Sequence, residues 1–153
     1  MTVPDTGSTP LRKVSKMDYE VAVIGSGSAG KEAALLAAKE GHRVVVIEKE
    51  TLGGTCYHRG CFAIRTLRAC SDAFYNRLFA SRYGIDLDQT RIKATGWSKI
   101  RRQVSSELAD QLNLQFQKAN ICVRFGRATF LDDHQLRLFN AYGYWTDLTV
   151  NTS

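Results

Sequence analysis

Two closely spaced cysteines, Cys56 and Cys61, are the residues of this chain best suited to chemistry. They lie in the glycine-rich run Leu-Gly-Gly-Thr-Cys-Tyr-His-Arg-Gly-Cys, which covers residues 52–61. Cysteines at this spacing come within disulfide reach if the chain between them forms a distorted helical turn. A thiol near a helix N-terminus has a lowered pKa, which makes it a ready thiolate. The pair is therefore predicted to exchange electrons between a dithiol and a disulfide.

A metal site and a pair of free structural thiols are the alternatives to redox chemistry. Zinc sites prefer cysteines separated by two residues and need four ligands. His58 could be a third ligand here, but the sequence offers no fourth nearby. With no recognisable secretory signal, the compartment is predicted to be reducing, where a close pair is typical of metal binding or catalysis. Cys70 and Cys122 stand singly in apolar patterns and are predicted to be buried core thiols.

A nucleotide-binding pattern precedes the cysteine pair. The run Gly25-Ser26-Gly27-Ser28-Ala29-Gly30 matches G-x-G-x-x-G between a predicted strand, Tyr19–Ile24, and a predicted helix, Ser28–Glu40. In this motif the first glycine permits a tight turn, the second lets a pyrophosphate approach the backbone, and the third lets the helix pack on the strand. The anion then meets the free N–H groups at the helix N-terminus.

A second predicted strand, Arg43–Ile47, completes a βαβ unit and leads directly to Glu48. A carboxylate at this distance beyond the glycine motif is typical of one that hydrogen-bonds a ribose hydroxyl. The strands, the helix, the glycines and the acid together predict a dinucleotide site, and an α/β unit with incidental glycines is the alternative.

The rest of the chain predicts two helices and a group of short strands. After a glycine-rich connection over residues 51–60, helices are expected from Cys61 to about Ala80 and from about Trp97 to Ala119. Strands are expected at residues 121–125, 128–131, 135–139 and 144–150. The predicted fold class is α/β, a Rossmann-like domain with a parallel sheet, helices and a β-meander.

Composition and charge argue against several classes of protein. A hydrophobic fraction of 44% and a charged fraction of 24% are ordinary for a globular chain. No apolar stretch approaches the roughly twenty residues of a membrane span, so no membrane partner is expected. The net charge of +6 comes from basic residues mixed with acidic ones, so no nucleic-acid partner is expected either. Residues 1–17 are predicted to be a disordered tail, and the expected compartment is the cytoplasm.

These motifs together resemble the N-terminal part of the class I flavoprotein disulfide oxidoreductases, the family of dihydrolipoamide dehydrogenase, glutathione reductase and mercuric reductase. The resemblance covers about residues 18–150, and a weaker match lies at residues 126–130. It implies FAD as the bound dinucleotide and a disulfide-type substrate. It also implies that Cys56 attacks this substrate and that Cys61 takes electrons from the flavin. Residues 18–153 would then be an incomplete FAD-binding domain.

The resemblance also implies which residues contact FAD. The pyrophosphate would lie against residues 53–55, and the backbone of Ala128 would meet the adenine. The full predicted set is Gly25, Gly27, Ser28, Ala29, Gly30, Glu48, Lys49, Gly53, Gly54, Thr55, Cys56, Arg65 and Ala128.

The sequence departs from the family pattern at two places. After the second cysteine the family usually has Ile-Pro-Ser-Lys, whereas this chain has Phe62-Ala63-Ile64-Arg65, which keeps the positive charge but not the compact ammonium. His58 stands where the family often has asparagine. It either tunes the neighbouring thiolate or is a partly exposed loop histidine.

Length is the larger departure. The chain is expected to stop before the closing strand of the FAD domain and before the family's NAD(P)H and interface domains. NAD(P)H and a homodimer are therefore implied for the full-length family, while no NAD(P)H site and no dimerisation domain are expected here. The alternative prediction is a truncated, catalytically inactive flavin-binding module or gene fragment.

Overall fold

The computed structural model describes residues 18–86, 93–140 and 142–151, so the prediction for residues 1–17 lies outside the described residues. The strands are β1 (Asp18–Tyr19), β2 (Val21–Ile24), β3 (Val44–Glu48), β4 (Cys122–Phe125), β5 (Arg127–Phe130), β6 (Gln135–Phe139) and β7 (Trp145–Val150). The helices are α1 (Ser28–Lys39), α2 (Gly54–His58), α3 (Cys61–Ala80) and α4 (Ala94–Lys118), and a 3₁₀ turn covers Ser81–Tyr83.

β2, β3 and β4 form a parallel sheet in that order, with β3 at its centre. Every residue of β3 is buried, and all but the last are β-branched, which is the pattern of a parallel strand covered on both faces. Ala34 of α1 and Leu112 and Phe116 of α4 pack in one core cluster with Val44 and Val46. The predicted βαβ unit is present, and its last strand ends at the buried Glu48.

A second sheet covers the other face of β3. β5, β6 and β7 form an antiparallel meander, and β1 pairs in parallel with β7. Leu136, Leu138 and Leu148 of the meander pack in a second core cluster with Val45 and Ile47. The alternating side chains of one strand, β3, therefore belong to both cores, which places its C-terminal end between the two layers.

Several local details differ from the sequence-based expectations. The predicted strand Tyr19–Ile24 is divided at Glu20, because β1 pairs with the meander while β2 pairs with β3. The connection over residues 51–60 contains α2, and α4 begins at Ala94 rather than near Trp97. Cys70 and Cys122 are half-buried, not buried as predicted. Cys122 packs against the second core cluster without belonging to its buried members, and Cys70 packs against neither cluster.

Among the described residues, β2 is an edge strand of the parallel sheet. The expected absence of a closing strand beside it stays a prediction. In the described part of the chain, no helix combines the length and the apolar character needed to cross a membrane.

Candidate functional site

The glycine motif forms the turn between β2 and α1. Gly25 has φ of +95°, a conformation that residues with a Cβ rarely adopt. A Cβ at Gly30 would overlap the carbonyl oxygen of Gly25, so the first turn of α1 can lie on the loop only with glycine there. A Cβ at Gly27, by contrast, would meet nothing within 4 Å. The backbone at Gly27 is therefore open to a ligand.

The N-terminus of α1 is uncapped. Gly27 occupies the N-cap position with no side-chain hydrogen bond, and no acidic residue lies in the first turn. The first N–H groups of a helix have no partner within the helix, and together with the helix dipole they form a binding site for an anion. Gly54 approaches this point closely, since a Cβ there would lie 3.1 Å from the Cα of Gly27.

Glu48 joins three segments at the carboxyl ends of β2 and β3. Its Oε2 accepts hydrogen bonds from the backbone N–H of Ser26, at 2.9 Å, and from the Ser26 hydroxyl, at 2.6 Å. Oε1 accepts from the N–H of Glu50 at 3.1 Å. The Ser26 Oγ in turn accepts from the N–H of Gly53 at 3.1 Å. The glycine loop, the end of β3 and the approach to the cysteines are thereby held together.

These hydrogen bonds determine the charge of Glu48, which is only 5% exposed. Burial raises the pKa of a carboxyl group, but the hydrogen bonds from Ser26, Glu50 and Lys49 outweigh it and hold the pKa of Glu48 below its usual value. The carboxylate is therefore ionised at neutral pH and is already satisfied by the protein's own donors.

The two cysteines lie on either side of a tight turn. Cys56 is in α2, and Cys61 is the first residue of α3. The N–H groups of Arg59 and Gly60 both donate to the carbonyl of Thr55, at 2.9 and 2.7 Å, which folds the chain back between the cysteines. Both thiols are free, Cys56 half-buried and Cys61 exposed, and the Cys56 side chain is the main influence on the pKa of Cys61. The turn brings the two thiols close enough to interact, and a disulfide between them stays a prediction.

The lowered pKa expected of a thiol at a helix N-terminus is wrong for Cys61. Its pKa is raised, first by the hydrogen bond with Cys56, then by the charge of that neighbouring thiol and by desolvation. The backbone at the start of α3 and the charge of Arg65 lower the pKa, but they do not outweigh these effects. Because Cys56 lies close by, the pKa of Cys61 is raised and its thiol stays protonated at neutral pH. The same closeness is what suits the pair to forming a disulfide.

α4 supports the cysteine turn from behind. Ser105 donates its hydroxyl hydrogen to the carbonyl of Tyr57 at 2.8 Å, and Arg101 donates to the carbonyl of His58 at 3.1 Å. The Nε2 of His58 lies 2.8 Å from the carbonyl of Leu52, to which it donates. His58 is half-buried, as expected of a partly exposed residue, but it is the last residue of α2 rather than part of a loop. That it tunes the neighbouring thiolate stays a prediction. His58 ties α2 to the loop after β3.

A cavity of about 280 Å³ lies between the glycine loop and the cysteine turn. Of the predicted site residues it brings together Gly27, Ser28, Gly53 and Cys56. The complete lining is Ser26, Gly27, Ser28, Lys31, Glu32, Gly53, Cys56, Tyr57 and Phe62.

Other predicted contacts lie outside this cavity. Lys49 is exposed beside Glu50, and Arg65 is exposed with its guanidinium 5.9 Å from the centre of the Phe62 ring. Ala128 lies on β5 and packs against the second core cluster. Cys61 does not line the cavity either.

Sequence reasoning missed Ser26, Lys31, Tyr57 and Phe62. Ser26 occupies a variable position of the glycine motif, and the other three lie in or beside recognised motifs. The amino-acid type at these four positions does not by itself indicate that the side chain lines a binding cavity. Within the described residues, no group of three or more His, Cys, Asp or Glu side chains is placed to hold a metal ion.

Comparison with known proteins places the chain in a family. The model of the pyridine nucleotide-disulphide oxidoreductases matches residues 19–140, so the chain belongs to this family, as the sequence predicted. Members of the family use FAD together with NAD(P)H.

Similar proteins include three curated oxidoreductases. A dihydrolipoyl dehydrogenase of Bacillus subtilis is 35% identical over 76% of this chain and 26% of its own length. A soluble pyridine nucleotide transhydrogenase of Sodalis glossinidius is 32% identical over 89% of this chain and 29% of its own length. A glutathione reductase of Nostoc is 31% identical over 79% of this chain and 26% of its own length. The chain thus spans about a quarter of the length of the curated relatives it matches.

A solved structure shares the fold. It is the Cu(II) complex of the HOCl-induced flavoprotein disulfide reductase RclA from Escherichia coli, with a TM-score of 0.66 and 26% identity. The match covers 90% of this chain and 27% of that chain. The predicted α/β, Rossmann-like fold class is confirmed.

The residues present fit FAD. A dinucleotide needs an open backbone for its pyrophosphate and a positive helix end nearby. Gly27 supplies the first, because no atom lies within 4 Å of where its Cβ would be, and the uncapped α1 supplies the second.

Proposed function

We propose that this chain is the flavin- and disulfide-bearing part of an FAD-dependent NAD(P)H–disulfide oxidoreductase. The observation that carries the proposal is the shared cavity, in which Gly27 of the nucleotide loop and Cys56 of the redox pair face the same space. A single ligand in this cavity would contact both the glycine loop and the cysteine.

In this proposal the N–H groups at the start of α1 and the backbones of Gly27, Gly53 and Gly54 hold the pyrophosphate of FAD. Glu48 acts mainly through Ser26, since its carboxylate already accepts hydrogen bonds from Ser26 and from the backbone of Glu50. It keeps the glycine loop in position and adds negative charge near the ribose. Thr55, Lys49, Arg65 and the backbone of Ala128 remain proposed contacts.

When bound, FAD supplies an electron pair close to the cysteines. The Cys56–Cys61 disulfide accepts two electrons and two protons and becomes the dithiol. The Cys56 sulfur then attacks one sulfur of the substrate disulfide, which forms a mixed disulfide and releases the first substrate thiol. The Cys61 sulfur attacks the sulfur of Cys56, which releases the second thiol and restores the internal disulfide. The substrate gains the two electrons that the cysteine pair loses.

The substrate, the source of reducing equivalents and the assembly are proposed at the level of the family. We propose a disulfide-type acceptor, small molecule or protein, and NAD(P)H as the reductant bound outside the residues described here. We propose homodimerisation only for family members that carry the interface domain. The proposed compartment is the cytoplasm, where close cysteine pairs are typically catalytic, and the proposed role is in cell redox homeostasis.

A second candidate function is flavin binding without catalytic turnover. The observation that favours it is Arg65, which stands where the family usually has lysine and lies over the Phe62 ring, outside the cavity. If the lysine is needed beside the flavin, this chain binds FAD but passes electrons slowly.

Gly27→Ala tests the flavin site. The added Cβ meets no protein atom within 4 Å, so the fold is retained, but the methyl group occupies the space that a pyrophosphate needs. The FAD affinity of the purified full chain, measured by quenching of flavin fluorescence, should fall at least about tenfold. Gly96→Ala is the matched control, since that Cβ also meets nothing within 4 Å. Equal FAD affinity of both variants and the unsubstituted chain would refute the proposed site.

A further inference from the structure

A second cavity lies beside the cysteine turn, which contributes His58 to its lining. It has a volume of about 430 Å³ and is bounded by the loop after β3, by α4 and by Phe125 at the end of β4. It shares no lining residue with the cavity of the glycine loop. Its volume is within the range of small-molecule sites. We call it the α4 cavity.

Two arginines give the α4 cavity a positive wall. Arg101 donates from Nη1 to the carbonyl of His58, and Arg102 donates from Nε to the carbonyl of Ser98 at 3.3 Å. A guanidinium carries five N–H donors, so most donors of both side chains remain. Within residues 18–86, 93–140 and 142–151, neither arginine forms an ion pair, and Asp110, the acidic residue of the lining, pairs with neither.

Neutral polar groups continue this wall along α4. Ser106 lies four residues after Arg102 and Asn113 seven residues after Ser106, and both line the cavity. These spacings place all three side chains on one face of the helix. A hydroxyl and an amide are thus available beside the guanidinium groups.

We propose that the α4 cavity binds a phosphate group, either inorganic phosphate or the phosphate of a small metabolite. Guanidinium groups recognise phosphate by paired, charge-assisted hydrogen bonds, and Ser106 and Asn113 supply neutral donors to the remaining oxygens. Arg101 also holds the carbonyl of His58, two residues from Cys56. An occupant therefore shares a guanidinium with the turn that carries the redox pair.

Calorimetric titration of the purified full chain with inorganic phosphate, at ionic strength balanced with chloride, tests the proposal. We expect saturable binding to one site. Arg102→Gln should weaken it about tenfold, the loss expected for a charge-assisted hydrogen bond. Lys99→Gln is the matched control, because it removes the same charge from an exposed position of α4 outside the cavity lining. It should leave phosphate affinity unchanged.

A second variant and a competition experiment complete the test. Asn113→Ala keeps both charges and should weaken phosphate severalfold, which distinguishes a built site from general attraction to a basic surface. The proposal is overturned by the absence of saturable binding or by equal effects of Arg102→Gln and Lys99→Gln. Loss of phosphate binding in the FAD-loaded chain would also overturn it, since the cavity would then belong to the flavin site.

Discussion

At the scale of single residues, Ser26 and Glu48 organise the candidate site. One carboxylate and one hydroxyl connect the ends of β2 and β3 to the start of α2 through four hydrogen bonds. The motif predicted that Glu48 would contact a ligand. In the structure its carboxylate instead accepts hydrogen bonds from the loops that would hold a ligand.

Glu48→Gln should lower the stability of the chain in a pH-dependent way. At pH 7 we expect a loss of about 1–3 kcal/mol, because hydrogen bonds to an ionised acceptor become neutral ones and the amide cannot accept at both positions. The pKa of Glu48 is lowered in the folded chain. The contribution of the ionised Glu48 to the free energy of unfolding is therefore complete above the ordinary carboxyl pKa of about 4.3. It is lost as the pH falls through the pKa of Glu48 in the folded chain.

Urea denaturation of both proteins at a series of pH values measures this difference. The gap between them should close on acidification. Glu40→Gln, an exposed acid at the end of α1, should show almost no gap at any pH. A gap for Glu48→Gln that stays constant from neutral to acidic pH would contradict the assignment.

Cys56→Ala should make Cys61 more acidic. The variant removes the hydrogen bond and the charge that raise the pKa of Cys61 most, while the start of α3 and Arg65 continue to lower it. In the reduced protein, the pH midpoint for alkylation of Cys61 by iodoacetamide, followed by mass spectrometry, should move to lower pH. Cys70→Ala should leave the midpoint where it is. An unchanged or higher midpoint in Cys56→Ala would show that the thiols do not interact.

At the scale of elements, the main relation is between α2 and α4. A helix as short as α2 cannot satisfy its own last carbonyl groups. Ser105 and Arg101 donate to the carbonyls of Tyr57 and His58 from 48 and 43 residues further along the chain. The geometry of the cysteine turn therefore depends on the docking of α4.

Ser105→Ala should destabilise the chain by about 1 kcal/mol, since the carbonyl of Tyr57 loses its donor. Ser106→Ala, one position along the same helix and exposed, should change stability by less than about 0.5 kcal/mol. Thermal or urea denaturation measures both. Equal stability of the two variants would mean that the Ser105 hydroxyl does not hold the turn.

Sequence reasoning succeeded where the determinants are local. The glycine turn, α1 and β3 follow from adjacent residues, because a positive φ at Gly25 and the apolar run before Glu48 need no distant partner. It failed where contacts between segments that are distant in the sequence determine the structure. The split between β1 and β2 depends on the pairing of β1 with β7. The position of α2 depends on its contact with α4. The raised pKa of Cys61 likewise depends on how closely the turn brings two thiols together.

At the scale of the whole molecule, two core clusters meet at β3, and the candidate site lies where β2 and β3 end. The family match covers most of the chain, yet the chain spans about a quarter of its curated relatives. The architecture therefore accounts for the positions of the glycine loop and of the cysteine pair, while flavin, reductant and substrate belong to the proposed function. The central claim is that flavin and cysteine pair form one electron-transfer unit.

The most direct measurement is an anaerobic dithionite titration of the FAD-loaded, oxidised full chain, followed by visible absorption and by a thiol count on Cys56 and Cys61. A chain that carries one flavin and one Cys56–Cys61 disulfide should take up two electrons to reduce the flavin and two more to reduce the disulfide. Cys61→Ser should take up only the flavin's two. If the unsubstituted chain also consumes only two electrons per flavin, or gains no thiols as the flavin is reduced, the central claim is wrong.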